Sequence, residues 1–302
     1  MANLKEIRTR IASVSSTKQI TSAMKMVSAA KLKKAQDAVT NLRPYALKMQ
    51  GIMVDAASSV GRDDDNVYAE DRDYERVLIV VITANRGLCG AFNSNVIKEA
   101  TLLAESKYGK HLASDKIRYM SIGKKGNDTL RKRKVPLDEP NTEIFENLTY
   151  ENASEIAQMF MDAFVDKRYD CIDIVYNEFI NAASQKVIHK QFLPLLPEEV
   201  QTKTGKGKNT GEKTSRTDYL FEPTKEYILR ELIPLNLRLV LYEALLESAA
   251  SEFGARMTSM HQATENAAEL IQELTLQYNK ARQAAITNEI SEIVGGAEAL
   301  KG

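Results

Sequence analysis

The stretch LESAASEFGARMTSMHQATENAAELIQELTLQYNKARQAA, from Leu246 to Ala285, carries an apolar or small residue at nearly every core position of a 3-4 heptad repeat. The only clearly polar core position is Thr264. The core positions are Leu246, Ala250, Phe253, Met257, Met260, Thr264, Ala267, Ile271, Leu274, Tyr278, Ala281 and Ala285. A 3.5-residue repeat kept over this length predicts a supercoiled helix with a continuous seam. As one helix, the last sixty residues of the chain would extend for roughly 90 Å, so we expect a rod that is longer than the rest of the protein and reaches into another structure.

The N-terminal segment carries a second seam with the same spacing. Its middle section is polar or small, with Lys18, Thr21, Lys25 and Ser28, and its two ends are apolar. The apolar positions are Leu4, Ile7, Ile11, Val14, Leu32, Ala35, Val39 and Leu42. This pattern predicts a helix from about residue 3 to about residue 57. Residues 1–58 hold ten Lys or Arg against three acidic residues, whereas residues 223–302 hold seven against eleven. The two terminal helices therefore attract each other, which favours their pairing.

The central segment alternates between strand and helix patterns. The predicted strands are VLIVVIT (Val77 to Thr83), IRYMSI (Ile117 to Ile122), CIDIVY (Cys171 to Tyr176) and KVIHKQFL (Lys186 to Leu193), the last an edge strand. The predicted helices cover Phe92 to Lys107, Lys124 to Arg133 and Glu151 to Lys167. This alternation predicts a mostly parallel, Rossmann-like α/β domain.

The predicted fold class is thus α/β plus a long antiparallel coiled coil. The terminal helices form a hairpin shaft, and the α/β domain is inserted between them. The predicted parts are an N-terminal shaft helix over residues 1–58, the α/β domain over 75–195, a flexible segment over 196–222, and a C-terminal shaft helix over 223–302.

Composition excludes several classes of protein. No apolar run reaches 18 residues, so we expect no direct membrane insertion. The first residues lack the apolar stretch of a secretory signal. Cys89 and Cys171 match no metal or redox spacing and are predicted to be buried thiols in a reducing compartment. A net charge of zero and the absence of aromatic residues before Tyr45 argue against nucleic acid as a partner.

The loop ANRGLCGA, from Ala84 to Ala91, follows the first predicted strand and resembles a nucleotide-binding turn. It contains neither G-x-x-x-x-G-K-[ST] nor G-x-G-x-x-G, and Arg86 alone is weak evidence for an anion site. We therefore interpret it as a tight strand-to-helix turn. The three histidines are scattered, and His261 is expected to be a surface residue beside the seam. No catalytic motif is visible in the sequence, so we expect neither a catalytic residue nor a cofactor or metal site.

Polar residues cluster instead near the end of the rod. The cluster consists of Asn279, Arg282, Gln283, Thr287, Asn288 and Glu289. At helical spacing Gln283 and Thr287 share one face, and Arg282 and Glu289 share another. Arginine offers a planar fork suited to a carboxylate, which favours a binding surface. A solvated helix face explains the same spacing equally well.

Several of these segments resemble the gamma subunit of F-type rotary ATP synthase. At the C-terminus they are LQYNKARQAAITNEISEIVGGAEAL (Leu276 to Leu300) and FGARMTSMHQATENA (Phe253 to Ala267). IRTRIASVSSTKQITSAMKMVSAAKL (Ile7 to Leu32) is similar to the N-terminal helix of the family, and TANRGLCGAFN (Thr83 to Asn93) to its strand and loop. The resemblance covers both ends of the chain and the order of its elements.

The resemblance implies a non-catalytic central rotor shaft. Its partners would be the alpha and beta subunits of a catalytic hexamer, the epsilon subunit and the c-ring, and the catalytic sites would lie on the beta subunits. Proton flow would turn the ring and the shaft, and the shaft would drive the beta sites through their states in turn. A bacterial location on the cytoplasmic face of the inner membrane fits best, because no organelle transit peptide is visible.

The resemblance also implies roles for individual residues. Arg282 and Gln283 match a pair that contacts a beta-subunit loop, with Thr287 and Glu289 as supporting polar residues. Met24 matches a shaft position that faces an acidic lever of a beta subunit, and its neighbour Lys25 brings charge there. In DYLFEP, from Asp218 to Pro223, we expect Tyr219 and Glu222 to contact the ring and epsilon.

Some features depart from the family, and two alternatives stay open. The plant-type cysteine pair is absent, and the segment 201–217 matches no family motif. The first alternative is a free-standing nucleotide-binding protein with a coiled-coil dimerisation arm. The second is a coiled-coil scaffold that does not rotate.

Overall fold

The computed structural model describes residues 4–59, 67–70, 72–109, 116–195 and 225–299. The helices are α1 (Leu4–Ser59), α2 (Phe92–Leu103), α3 (Lys124–Lys132), α4 (Tyr150–Val165) and α5 (Lys225–Ala299). The strands are β1 (Val77–Ile82), β2 (Ile117–Ile122), β3 (Cys171–Phe179) and β4 (Gln185–Leu193), and Val67–Ala69 is a short 3₁₀ turn. The predicted segment 196–222 lies outside the described residues.

The described residues divide into two compact units. The paired-helix unit contains α1 up to Ala30 and α5 from Arg256 onward, and the sheet unit contains everything between Lys31 and Ala255. Among the described residues, no helix combines the length and the apolar character that crossing a membrane requires.

In the paired-helix unit the two helices run antiparallel, as predicted. Arg8 donates a hydrogen bond to the Tyr278 hydroxyl at 2.7 Å, while further along α1 the hydroxyls of Thr21 and Thr264 lie 2.8 Å apart. As the residue number rises on α1, the number of the partner on α5 falls. Ile7, Met260 and other predicted core residues are buried at this seam, which accounts for the pairing.

The sheet unit is built on one four-stranded mixed sheet with the order β2-β1-β3-β4. β1 pairs in parallel with β2 and β3, and β4 pairs antiparallel with β3 at the edge of the sheet. Every residue of β1 is buried, which explains its unbroken apolar sequence. The prediction of a mostly parallel sheet, in which the last strand along the chain is an edge strand, is confirmed.

Alternate residues of β1 enter two separate cores. Val77, Ile79 and Val81 pack with side chains of α2 and Leu130 of α3. Leu78, Val80 and Ile82 pack with the other layer, which includes Phe160 of α4 and Leu241 of α5. The period of two along a strand therefore divides one apolar segment between two helical layers.

The helix predicted to extend to Lys107 changes from an α-helix to a π-helical turn before that residue. α2 ends at Leu103, and Ala104–Tyr108 is a single π-helical turn. This turn brings two side chains onto the fully buried Asp173 of β3: the Lys107 Nζ lies 3.0 Å from one carboxylate oxygen, and the Tyr108 hydroxyl donates to it at 2.6 Å. A buried carboxylate needs such partners, so the wider turn satisfies the charge in the middle of the sheet.

Gly254, which interrupts the heptad repeat, has a packing role. A Cβ at this position would lie 3.0 Å from the carbonyl oxygen of Ala182 in the β3–β4 hairpin. One turn earlier, the Ser251 hydroxyl donates to the Asn177 carbonyl at 3.1 Å. A side chain at position 254 would press on the hairpin backbone, so the glycine favours this close approach of the hairpin to α5.

Candidate coupling surface on the paired helices

The predicted seam positions are buried or half-buried over most of the length of the two helices. Leu32, Ala35 and Val39 are buried on α1, and Ala267 and Leu274 are buried on α5. Two positions depart from the pattern.

Lys18 and Ala285 are exposed, so their prediction as core positions is wrong. Ala285 lies about two turns beyond Tyr278, which contacts Arg8 near the start of α1, and the long, charged side chain of Lys18 stays in solvent.

The polar middle of the seam contains a hydrogen-bonded cluster. Thr264 donates to Thr21, which in turn bonds to the Lys18 carbonyl at 3.1 Å. The Nζ of Lys25 lies 3.2 Å from Nδ1 of His261, and Nε2 of His261 lies 3.5 Å from a carboxylate oxygen of Glu265. His261 is on the surface, as expected, but its contact with Lys25 was not predicted, because the sequence does not show which α5 residue lies opposite.

Met24 and Lys25 are both half-buried. The Met24 carbonyl accepts a hydrogen bond from the Ser28 hydroxyl at 2.7 Å. The pairing of Lys25 with His261 holds its ammonium group against α5. Met24 and Lys25 therefore lie on a section of the shaft that is ordered by contacts between the two helices.

The end of α5 is different, because every residue from Arg282 to Ala297 is exposed. This stretch, the α5 tip, is roughly 24 Å long. It follows directly after the contact of Arg8 with Tyr278, where the guanidinium also lies 5.6 Å from the ring centroid. Four large apolar side chains on the tip are between 48% and 66% exposed. They are Ile286, Ile290, Ile293 and Val294.

The α5 tip has two unlike sides. At 100° per residue, the four apolar side chains and all four predicted contact residues fall within roughly 160° of the helix circumference. The predicted contact residues are Arg282, Gln283, Thr287 and Glu289. The opposite side carries mostly small residues, including Ala284, Ala285, Ser291, Gly295 and Gly296. Thr287 donates to the Gln283 carbonyl at 3.0 Å, which confirms that these two share a face.

Tyr219 and Glu222 lie outside the described residues, so their predicted contact with the ring and epsilon stays a prediction. The apolar members of the tip were missed as functional candidates. Their spacing was visible in the sequence, since Ile286, Ile290 and Ile293 continue a 4-3 repeat, but only the structure shows that no described part of the chain covers them.

The turn after β1 is hydrogen-bonded to the turn after β2. Two backbone N–H groups at the carboxyl ends of β1 and β2 donate within the chain rather than to a ligand: Ala84 to Asn93 at 2.8 Å and Lys124 to Asn85 at 2.9 Å. Gly126 donates to the Thr83 hydroxyl at 2.9 Å, and a Cβ there would lie 2.4 Å from the Ser121 hydroxyl. This geometry favours a tight structural turn over a nucleotide site.

Comparison with known proteins agrees with this geometry. A family model described as "ATP synthase" matches residues 3–300. An ATP synthase gamma chain from Flavobacterium psychrophilum is 54% identical over the full length of both chains.

Solved structures give the same result for the fold. The chain is similar to one from the central stalk and c-ring of the Tetrahymena thermophila mitochondrial ATP synthase, with 28% identity and a TM-score of 0.55. That match covers 81% of this chain and 99% of the other. A chain of the Euglena gracilis mitochondrial enzyme shares the fold, with 23% identity, a TM-score of 0.67 and coverage of 98% and 94%.

The paired terminal helices and the inserted sheet define a stalk protein with an α/β domain. Within that class, the chain belongs to the ATP synthase gamma chain family. It is a non-catalytic subunit of the central stalk of a rotary ATP synthase.

Proposed function

We propose that this chain is the axle through which the c-ring drives the catalytic beta subunits, and that the α5 tip is the part the beta subunits contact. The observation that carries the proposal is the unlike character of the two sides of the tip. A symmetric rod would make the same contacts at every rotation angle. On the α5 tip, the side that carries the large apolar and polar side chains faces a different neighbour at each rotation angle.

The physical basis of coupling is differential contact. A shaft angle shifts a beta subunit toward one conformation only if the shaft binds that conformation more strongly than the others. Coupling energies of this kind are typically about 1–3 kcal/mol. One arginine fork bound to a carboxylate, together with one apolar side chain entering a pocket, is enough to supply that difference.

The tip residues have separate roles in this proposal. Arg282 and Gln283 contact a beta-subunit loop, Arg282 through its two parallel donors and Gln283 through its amide. Thr287 and Glu289 support them from the next two turns of the helix. The exposed isoleucines lose water when the hexamer encloses the tip, which stabilises the assembled state.

Further down the shaft, Met24 faces an acidic lever of a beta subunit and Lys25 adds positive charge beside it. The contact with His261 restrains the Lys25 side chain, so less conformational freedom is lost when that charge meets a carboxylate. Tyr219 and Glu222 are proposed to contact the ring and the epsilon subunit.

The catalytic sites belong to the beta subunits in this proposal. The chain works on the cytoplasmic face of the bacterial inner membrane as a peripheral subunit. Its partners are the alpha and beta subunits, epsilon and the c-ring. Support comes from the similarity to a chain of the central stalk and c-ring of a mitochondrial ATP synthase, and from the bacterial relatives.

The test is to replace Arg282 and Gln283 by alanine in the assembled complex. Loss of a charged hydrogen bond costs about 1.5–3 kcal/mol, so we expect proton-driven ATP synthesis by membrane vesicles to fall by a factor of about 10 to 100. The matched control is Asn288→Ala, which removes an equally exposed polar side chain from the opposite side of the tip and is expected to leave synthesis unchanged. Circular dichroism of each full-length variant checks that the helices are retained. Equal synthesis by the wild type and the Arg282→Ala variant would remove the assigned role.

A further inference from the structure

The outward face of α3 carries an uncompensated positive charge. The helix buries Gly126 and Leu130, and its exposed cations are Lys124, Lys125, Arg131 and Lys132. Among the described residues, no ion pair involves any of these four side chains. Asp128 is the only acidic residue of the helix.

The two ends of α3 differ in how well the helix itself explains these charges. Arg131 and Lys132 lie in the last turn, where the partial negative charge of the helix end stabilises cations. Lys124 and Lys125 lie in the first turn, where the partial positive charge of the helix repels them. The helix end thus stabilises the charges of Arg131 and Lys132 and destabilises those of Lys124 and Lys125.

The surroundings of the first turn add to this repulsion. A Cβ placed on Gly87 would lie 3.9 Å from Cε of Lys125, so the lysine stem runs beside the β1–α2 loop. The neighbouring residue in that loop is the exposed Arg86. Lys124 and Lys125 therefore lie beside a third cation at the carboxyl ends of β1 and β2, and the N-terminus of their own helix disfavours them there.

We propose that Lys124 and Lys125 form a docking surface for a carboxylate-rich segment of a neighbouring subunit. This inference rests on the proposed function, because the neighbour is taken to belong to the same complex. Charge complementarity identifies the partner: clustered lysine ammonium groups raise the local concentration of a carboxylate and steer it into contact.

Other anionic partners fit less well. The first-turn N–H groups that a phosphate would require already donate to Asn85 and Thr83. A membrane-surface helix needs an apolar side that enters the bilayer, and the only large apolar residue of α3, Leu130, is buried in the sheet unit. A flexible acidic segment needs neither feature, since it can meet the lysines in solvent.

The experiment compares two double variants of the full-length chain that lose the same charge. Lys124→Gln with Lys125→Gln removes the first-turn cations, and Arg131→Gln with Lys132→Gln removes the last-turn cations as the matched control. The measurement is the rate of association with the purified alpha–beta hexamer and with purified epsilon, at low and at high ionic strength.

We expect the first-turn variant to associate about tenfold more slowly with one of the two partners at low ionic strength, and the difference to vanish at high ionic strength. We expect the last-turn variant to differ from the wild type by less than about twofold. Removing first-turn cations relieves a repulsion within the helix, so slower association cannot be attributed to unfolding of α3. Thermal unfolding followed by circular dichroism checks this directly.

Equal effects of the two double variants, or no effect of either, would overturn the docking surface. So would a first-turn variant that loses binding only to phosphatidylglycerol vesicles, because the partner would then be a membrane. If the wild-type chain fails to bind both the hexamer and epsilon, the proposed function itself fails. Wild-type binding without a difference between the variants removes only this inference.

Discussion

Large apolar side chains are buried in the interior of the sheet unit and exposed on the α5 tip. β1 buries every one of its six residues between two helical layers of the same chain. The tip leaves Ile286, Ile290 and Ile293 about half exposed. The first arrangement is stable within one chain, whereas the second becomes favourable only when another molecule covers it. Folding stability therefore depends on the sheet interior, whereas the exposed side chains of the α5 tip are accessible to another molecule.

Truncation of one large side chain in each region gives the sharpest contrast. Phe160 is almost fully buried and contacts Phe192 edge to face, with ring centroids 5.9 Å apart. We expect Phe160→Ala to lower the free energy of unfolding of the full-length chain by about 3–5 kcal/mol. The matched change Ile290→Ala is expected to lower it by less than about 0.5 kcal/mol. Urea unfolding followed by tyrosine fluorescence measures both changes. A large loss from Ile290→Ala would show that the tip is covered within its own chain and would break the comparison.

Two glycines of α5 test the same contrast between a packed and an exposed position, because a substitution there adds a side chain. A leucine at position 254 meets the Ala182 backbone, whereas nothing lies within 4 Å of a Cβ at position 295. We expect Gly254→Leu to destabilise the chain by about 1–3 kcal/mol, because the hairpin must move away from the helix.

The control in the same helix is expected to act in the opposite direction. Gly295→Leu replaces a poor helix former at an exposed position, so helix stability should rise by up to about 1 kcal/mol. Thermal unfolding followed by circular dichroism measures both variants. A Gly254→Leu variant as stable as the wild type would contradict the close contact between the β3–β4 hairpin and α5.

The order of elements was predictable because each segment follows a period that its own environment imposes. The 3-4 repeat of α5 and the unbroken apolar sequence of β1 both report burial, and both predictions are confirmed. The π-helical turn at Ala104–Tyr108 was not predictable, because the residue that its side chains contact, Asp173, is more than sixty positions away in the sequence. Gly254 was visible only as an interruption, since its role depends on a hairpin from another part of the chain.

The candidate site was predictable to a smaller extent. Helical spacing correctly placed Gln283 and Thr287 on one face, because that relation is local. Which α5 residue faces Lys25 depends on the register of two helices, and the sequence does not determine it. The assignment of Arg282 and Gln283 to a beta-subunit loop depends on the resemblance to the family, and it stays a prediction.

The last expected effect is absent near neutrality, appears only at alkaline pH and again lies in the sheet unit. Burial, together with the charge of Asp173, raises the pKa of the Cys171 thiol to about 12. In the unfolded chain the same thiol titrates near its ordinary value, about 8.5. Because the folded-state pKa is the higher one, the stabilisation is fully present below the unfolded pKa and is lost as pH rises toward the folded pKa.

We therefore expect Cys171 to make no pH-dependent difference near neutrality. Between about pH 9 and 12, it should contribute a loss of about 1.4 kcal/mol of unfolding free energy per pH unit. Urea unfolding of the wild type and of Cys171→Ala across this range isolates the contribution, because the variant should lose stability less steeply. Ile290→Ala serves as the control, since a change on the α5 tip leaves the thiol buried and should keep the wild-type slope. Parallel slopes for the wild type and Cys171→Ala would mean that the thiol ionises as easily in the folded chain as in the unfolded one. Burial in the sheet unit would then leave the pKa of the Cys171 thiol unchanged, as expected for an exposed position such as those on the α5 tip.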